Sequence, residues 1–168
     1  MIDFSEVYHS MLNAKTSKDK YRYGMKVIEF YCEKGQITNA TSTFSTSVAE
    51  HAKEIGITEK KMKEDLERLL KKGYANAVPP IISEIEKSLD QEGNKNFVYL
   101  ENRIETAFSY AKESGEYSIN QLLNLNERLV NLRNKLLNIK KDTPKEKIVD
   151  WRVVNLKDLN NSDTDRYY

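Results

Sequence analysis

The stretch Leu122-Leu123-Asn124-Leu125-Asn126-Glu127-Arg128-Leu129-Val130-Asn131-Leu132-Arg133-Asn134-Lys135-Leu136-Leu137-Asn138-Ile139 decides the fold class. Leu122, Leu125, Leu129, Leu132, Leu136 and Ile139 recur at alternating spacings of three and four, which a helix of 3.6 residues per turn keeps on one side. This predicts a helix over 117–141 with a heptad seam. Leu123, Val130 and Leu137 form a second apolar row beside it. A stripe that wide calls for at least two packing neighbours. The seam residues, with Trp151 further on, are the candidate oligomerisation contacts.

The charges around the seam indicate a partner. Arg128, Arg133, Lys135 and Lys140 flank it with no acid among them, so parallel self-pairing would bring like charges together. Residues 118–147 carry 7 basic and 3 acidic side chains, whereas residues 76–117 carry 4 basic and 8 acidic. An antiparallel hairpin with the preceding helix, expected over 95–113 and bearing Glu101 and Glu105, pairs the two signs.

Working towards the N-terminus, Gly35, Gly56, Gly73, Gly93 and Gly115 each come after a helical pattern, the position where glycine ends a helix. Helices are expected over about 4–14, 18–34, 47–55, 58–72 and 79–91. In the second, Tyr21, Met25, Ile28 and Cys32 mark one face. Residues 36–46 are polar, β-branched and poor in charge, and read as a loop in which Ser45 or Thr46 caps the next helix. Pro79-Pro80 reads as the first turn of a new helix. Beyond Pro144, Lys147-Ile148-Val149-Asp150-Trp151-Arg152-Val153-Val154-Asn155-Leu156 reads as an extended segment, which one strand alone cannot stabilise.

Between Ser47 and Tyr74 the residue types fall at telling intervals: Ala52 small, Gly56 four later, Ile57 apolar, Thr58 as a cap, Met62, Leu66 and Leu69 on a buried face, and Lys71-Lys72 at the helix end. The stretch resembles the helix-turn-helix of winged-helix and related bacterial or phage DNA-binding domains. That resemblance implies an outward second helix whose Thr58, Lys60, Lys61, Lys63 and Arg68 meet phosphates or base edges of double-stranded DNA. Two departures qualify it. Ala75-Asn76-Ala77-Val78-Pro79-Pro80 returns directly to helix where a wing would begin. Glu59, Glu64, Asp65 and Glu67 stand among the cations and repel phosphate, which fits a weak or avidity-dependent contact. The layout of a helix-turn-helix unit, a helical hairpin and an extended segment also resembles that of small terminase subunits of tailed phages.

The expected fold class is therefore all-α. A helix-turn-helix-like trihelical unit occupies 1–76, a helical hairpin and oligomerisation region 77–142, and a single extended segment with its tail 143–168. Ten Tyr and five Phe argue for an ordered core, and 32% charged residues for well-solvated helix faces. A net charge of +1 leaves no global nucleic-acid footprint.

Chemistry-bearing residues are sparse. His9 and His51 are far apart, Cys32 is the sole cysteine, and no Cys/His/Asp set has metal-ligand spacing. No glycine-rich phosphate loop, membrane span or signal peptide is evident. The expectation is a non-enzymatic DNA-binding protein of the cytoplasm or a virus particle, without metal, cofactor or small-molecule substrate. It would act as an oligomer, as a transcriptional regulator or a phage packaging or replication accessory. The alternative is a helical structural or adaptor protein of a virion or multi-protein complex that binds no DNA.

Overall fold

A computed structural model describes residues 3–143. Every regular element among them is helical: α1 (Phe4–Asn13), α2 (Ser17–Glu33), α3 (Ile37–Thr43) running into a π-helical turn (Phe44–Val48), α4 (Ala49–Glu54), α5 (Glu59–Asp90), α6 (Phe97–Ser114) and α7 (Ile119–Asp142). The all-α expectation holds. The expected extended segment, with Trp151, lies outside the described residues. The chain divides into two compact units, one reaching to Pro79 and including Tyr110–Ser118, the other formed by Pro80–Ser109 and the residues from Ile119 on.

The first unit is built around α2. Asp3 caps α1 by accepting from the Glu6 amide at 2.8 Å, and Thr16 caps α2 by accepting from that of Asp19 at 3.1 Å. Val7 and Met11 of α1 bury against Val27, while the Phe4 ring meets Phe30 edge-on at 5.9 Å. Ile28, Cys32, Ala40 and Val48 form a second core cluster, against which Leu66, Leu69 and Leu70 of α5 pack.

Two local expectations are corrected. Residues 37–46 are helical, not a loop, with Gln36 at the N-cap of α3, and Ser45 and Thr46 lie within the π-helical turn, not at a cap. Ile37, Ala40, Phe44 and Val48 face the interior at helical spacings. The hydroxyls meanwhile bond back to carbonyls four residues earlier: Thr43 to Asn39 at 2.8 Å, Ser45 to Thr41 at 3.1 Å and Thr46 to Ser42 at 2.8 Å. A composition that favours loops in isolation is accommodated because Ile37, Ala40 and Val48 are buried and Phe44 is partly buried against them.

The second correction concerns α5, which runs without a break where two helices were expected. Gly73 lies inside it. A Cβ there would stand 2.7 Å from Ile37 Cδ1 and 3.2 Å from both Cβ and Sγ of Cys32. Gly73 therefore permits a close helix crossing and does not terminate a helix. Pro79 and Pro80 are also internal to α5, exposed to solvent, and mark the boundary between the two units. The other expected stops hold: Gly35, Gly56, Gly93 and Gly115 all have positive φ.

The second unit buries Ile81, Ile82, Ile85 and Leu89 of α5, Phe97, Leu100, Ile104 and Ala107 of α6, and Leu125, Leu129 and Leu136 of α7. Glu105 of α6 pairs with Arg133 at 3.5 Å, as the hairpin reading requires. Arg128 and Lys135 instead reach back to α5, to Glu86 at 2.8 Å and Asp90 at 2.7 Å. The acidic partner of α7 is thus shared between two helices.

Candidate nucleic-acid interface

The candidate interface begins at the bend between α4 and α5. Ala52 is fully buried, and the amide of Ile57 donates to its carbonyl at 3.0 Å. Gly56 takes φ +86°, a conformation L side chains rarely adopt, and is surrounded by open space. Thr58 then caps α5, its Oγ1 accepting from the Lys61 amide at 3.2 Å. Met62 is buried, and Leu66 and Leu69 reach the core. Ala52, Gly56, Thr58, Met62, Leu66 and Leu69 therefore take the local positions the pattern assigns them, whereas Lys71 and Lys72 do not: they were expected at a helix end, and α5 continues past them to Asp90.

The approach to the bend is tied down by polar contacts. The Ser17 hydroxyl donates to the Glu54 carboxylate, and His51 Nδ1 lies 3.3 Å from Ser17 Oγ and 3.6 Å from Glu54 Oε2. The Ser17 hydrogen bond, aided by His51, holds the Glu54 carboxyl below the usual glutamate range. The role of the imidazole in its contact with the Ser17 hydroxyl depends on its tautomer. The cluster fastens the start of α2 to the end of α4.

Thr58, Lys60, Lys61, Lys63 and Arg68 are all exposed. They are not electrostatically equivalent. Lys61 Nζ lies 3.0 Å and Arg68 Nη1 3.5 Å from the same Asp65 oxygen, and the Tyr21 hydroxyl donates to the other at 3.4 Å. Asp65 is only 9% exposed. It is not one of the solvated acids of this face, as its place in the sequence had implied, but an anchor beneath it. Burial and then the Asp65 charge raise the Tyr21 phenol above its ordinary value. Among the described residues Lys60 and Lys63 make no ion pair. From Glu59 to Lys72 the exposed side chains include the cations Lys60, Lys61, Lys63, Arg68, Lys71 and Lys72 and the acids Glu59, Glu64 and Glu67.

One neighbouring feature escaped the sequence reading. Lys18, Arg22 and Lys26 of α2 stand at four-residue intervals and, with Arg68, rim a cleft of about 460 Å³ floored by Met25 and Leu69. The i, i+4, i+8 repetition of cations on α2 was the available signal.

The candidate oligomerisation residues lie elsewhere. Leu125, Leu129 and Leu136 are buried within the second unit, and Leu122, Leu132 and Ile139 are half-buried beside them. Trp151 lies outside the described residues. No group of three or more His, Cys, Asp or Glu side chains among the described residues is arranged to hold a metal. Cys32 is buried, and burial together with the nearby Glu29 charge pushes its thiol up to about 11. No helix among the described residues is long and apolar enough to cross a membrane. The chain matches no protein-family model, no curated protein and no solved structure.

Proposed function

We propose that this chain is a non-enzymatic protein that binds double-stranded DNA through the first turns of α5 and acts as an oligomer. Its role would be that of a transcriptional regulator or a phage packaging or replication accessory. The observation that carries the reading is the outward cationic surplus on α5, six Lys/Arg against three acids, on a helix launched by a glycine bend and a threonine cap. Phosphate contacts by Lys60 and Lys63 need no internal ion pair broken, while Lys61 and Arg68 must share their charge with Asp65. Binding is accordingly weak for one protomer and strengthened by avidity.

Anisotropy titration of a labelled duplex over a salt series tests this. Affinity falls steeply with salt, and the Lys60→Glu, Lys61→Glu, Lys63→Glu triple variant lowers the log–log salt slope by about 2.7 if each lysine neutralises one phosphate. Absence of binding at low salt, or an unchanged slope in a triple variant of intact helicity, overturns the reading. A second reading, an adaptor that binds no DNA, draws on the exposed apolar side chains Ile119, Leu123, Val130 and Leu137 of α7.

A further inference from the structure

Two clefts of similar size flank the outward side of α2, and their charges differ. The first, of about 460 Å³, lies between α2 and α5 within the first unit, and the second, of about 520 Å³, lies on the side of Val7 and Phe30. Both have the size that small molecules occupy, roughly 300–1,000 Å³. Arg22, Lys26 and Glu29 border both. The second adds Glu33, so its charges balance. The first adds two cations, Lys18 and Arg68, and one acid, Asp65. That acid is already engaged. It is buried, one of its oxygens meets Lys61 and Arg68, and the other accepts from Tyr21. Beneath the surplus of cations the lining is apolar, made by Met25, Leu69 and the exposed Ile55.

We infer that the cleft between α2 and α5 is a binding site for a small apolar carboxylate, an aliphatic or aromatic acid whose body lies on Met25, Ile55 and Leu69 and whose carboxylate meets the cations of the rim. The lining asks for both parts. A neutral hydrocarbon gains nothing from the cations, and an inorganic anion gains nothing from the floor. Lys18 and Lys26 make no ion pair among the described residues, so they turn onto a carboxylate without breaking one. Arg68 gives up only a 3.5 Å contact at an exposed position. Arg22 is held by Asp19 at 3.2 Å and lies over the Tyr23 ring, and its charge serves the site from a distance. Both walls are regular helices of one compact unit, so little ordering opposes binding. One consequence rests on the DNA reading: Arg68 is among the cations offered to the duplex, so an occupied cleft withdraws one phosphate contact. The site itself does not depend on that reading.

The test uses the full chain with methyl-labelled methionine, observed by NMR without DNA, and decanoate, decanol and acetate as probes. Met25 lines the cleft, whereas Met11 is buried beside Val7 and Val27 and Met62 is buried. Decanoate is expected to shift the Met25 methyl resonance, assigned by its loss in Met25→Leu, saturably and with a Kd below ~1 mM. Met11 and Met62 stay in place. Decanol, lacking the charge, and acetate, lacking the body, each bind at least about tenfold more weakly. Lys18→Glu with Lys26→Glu weakens decanoate by a similar factor at an unchanged helical circular dichroism signal. No saturable Met25 shift at ~1 mM decanoate, or equal binding of decanol, overturns the inference. A joint shift of all three methionines, the mark of detergent-like unfolding, does the same. So does a Met25 shift from an amphipathic Glu/Leu peptide with none from decanoate, which would make the cleft a groove for a protein partner. The coupling is read separately. Decanoate at saturation, against acetate at the same concentration, lowers the log–log salt slope of duplex binding by about 0.9, one phosphate contact. An unchanged slope with the Met25 shift intact overturns the coupling alone, and a chain that binds decanoate but no duplex overturns the proposed function and leaves the site standing.

Discussion

The two long helices α5 and α7 carry the same kind of inward stripe and opposite kinds of outward face. On α5 the outward side chains from Glu59 to Lys72 are ionic, and the buried carboxylate of Asp65 holds two of the cations in place. On α7 the outward row is Ile119, Leu123, Val130 and Leu137. An ionic face gives interactions that salt screens within roughly 10 Å, whereas an apolar face gives interactions that salt leaves intact or strengthens. One chain therefore presents two surfaces that answer to different conditions. A partner held at α5 by charge would loosen as salt rises, and one held at α7 by apolar contact would not.

The sharpest way to test the α7 half of this contrast uses adjacent leucines. Leu136 is fully buried and Leu137 is 44% exposed. Leu136→Ala is expected to cost about 2–5 kcal/mol in urea or thermal unfolding. Leu137→Ala at the same protein concentration costs less than about 1 kcal/mol. Equal costs for the two would mean that the outward row is part of the core.

On α5 the corresponding test is Gly73. Gly73→Ala gains about 1 kcal/mol of helix propensity and loses about 1–3 kcal/mol to crowding, so in chemical denaturation the variant is between neutral and about 2 kcal/mol less stable. Adding Ile37→Val, which removes the Cδ1 methyl that the new Cβ meets at 2.7 Å, recovers part of the loss. If Gly73→Ala alone were stabilising, the close crossing of α5 over Ile37 and Cys32 would be wrong.

The smallest expected effect is at the bend itself. Glu54 is held below its ordinary 4.5 by the Ser17 hydrogen bond, so its contribution is present at neutral pH and fades as pH falls through the lowered value. Glu54→Gln lowers Tm slightly at pH 7, and the difference from the parent closes in acid. A gap that widens on acidification contradicts the contact.

What was legible in the sequence and what was not divides along the range of the interactions. The α7 seam and the glycine stops at 35, 56, 93 and 115 depend on neighbours within one or two turns, and the pattern of Ala52, Gly56, Thr58 and Met62 does too; all were readable. Gly73 looks like another stop because its true reason, contact with Ile37 and Cys32, lies over thirty residues away. Asp65 looks like a solvated acid because the phenol that meets it belongs to Tyr21, 44 residues earlier. Residues 36–46 look like a loop because hydroxyl-rich composition outweighs four spaced apolar residues until a core exists to receive them. The candidate contacts on α5 could be named from charge alone. Their inequality, with Lys61 and Arg68 leashed and Lys60 and Lys63 without an ion pair among the described residues, could not.

Pro79 and Pro80 lie within α5 and bring no amide hydrogens to its ladder, so the carbonyls of Ala75 and Asn76 lack their usual partners four residues on. A helix lengthens by adding one such bond per residue to an existing turn, and that growth stalls where two successive residues have none to add. Elongation of α5 across the pair therefore gains no such bond at two successive residues, and the helix on either side rests on the contacts of the compact unit it belongs to.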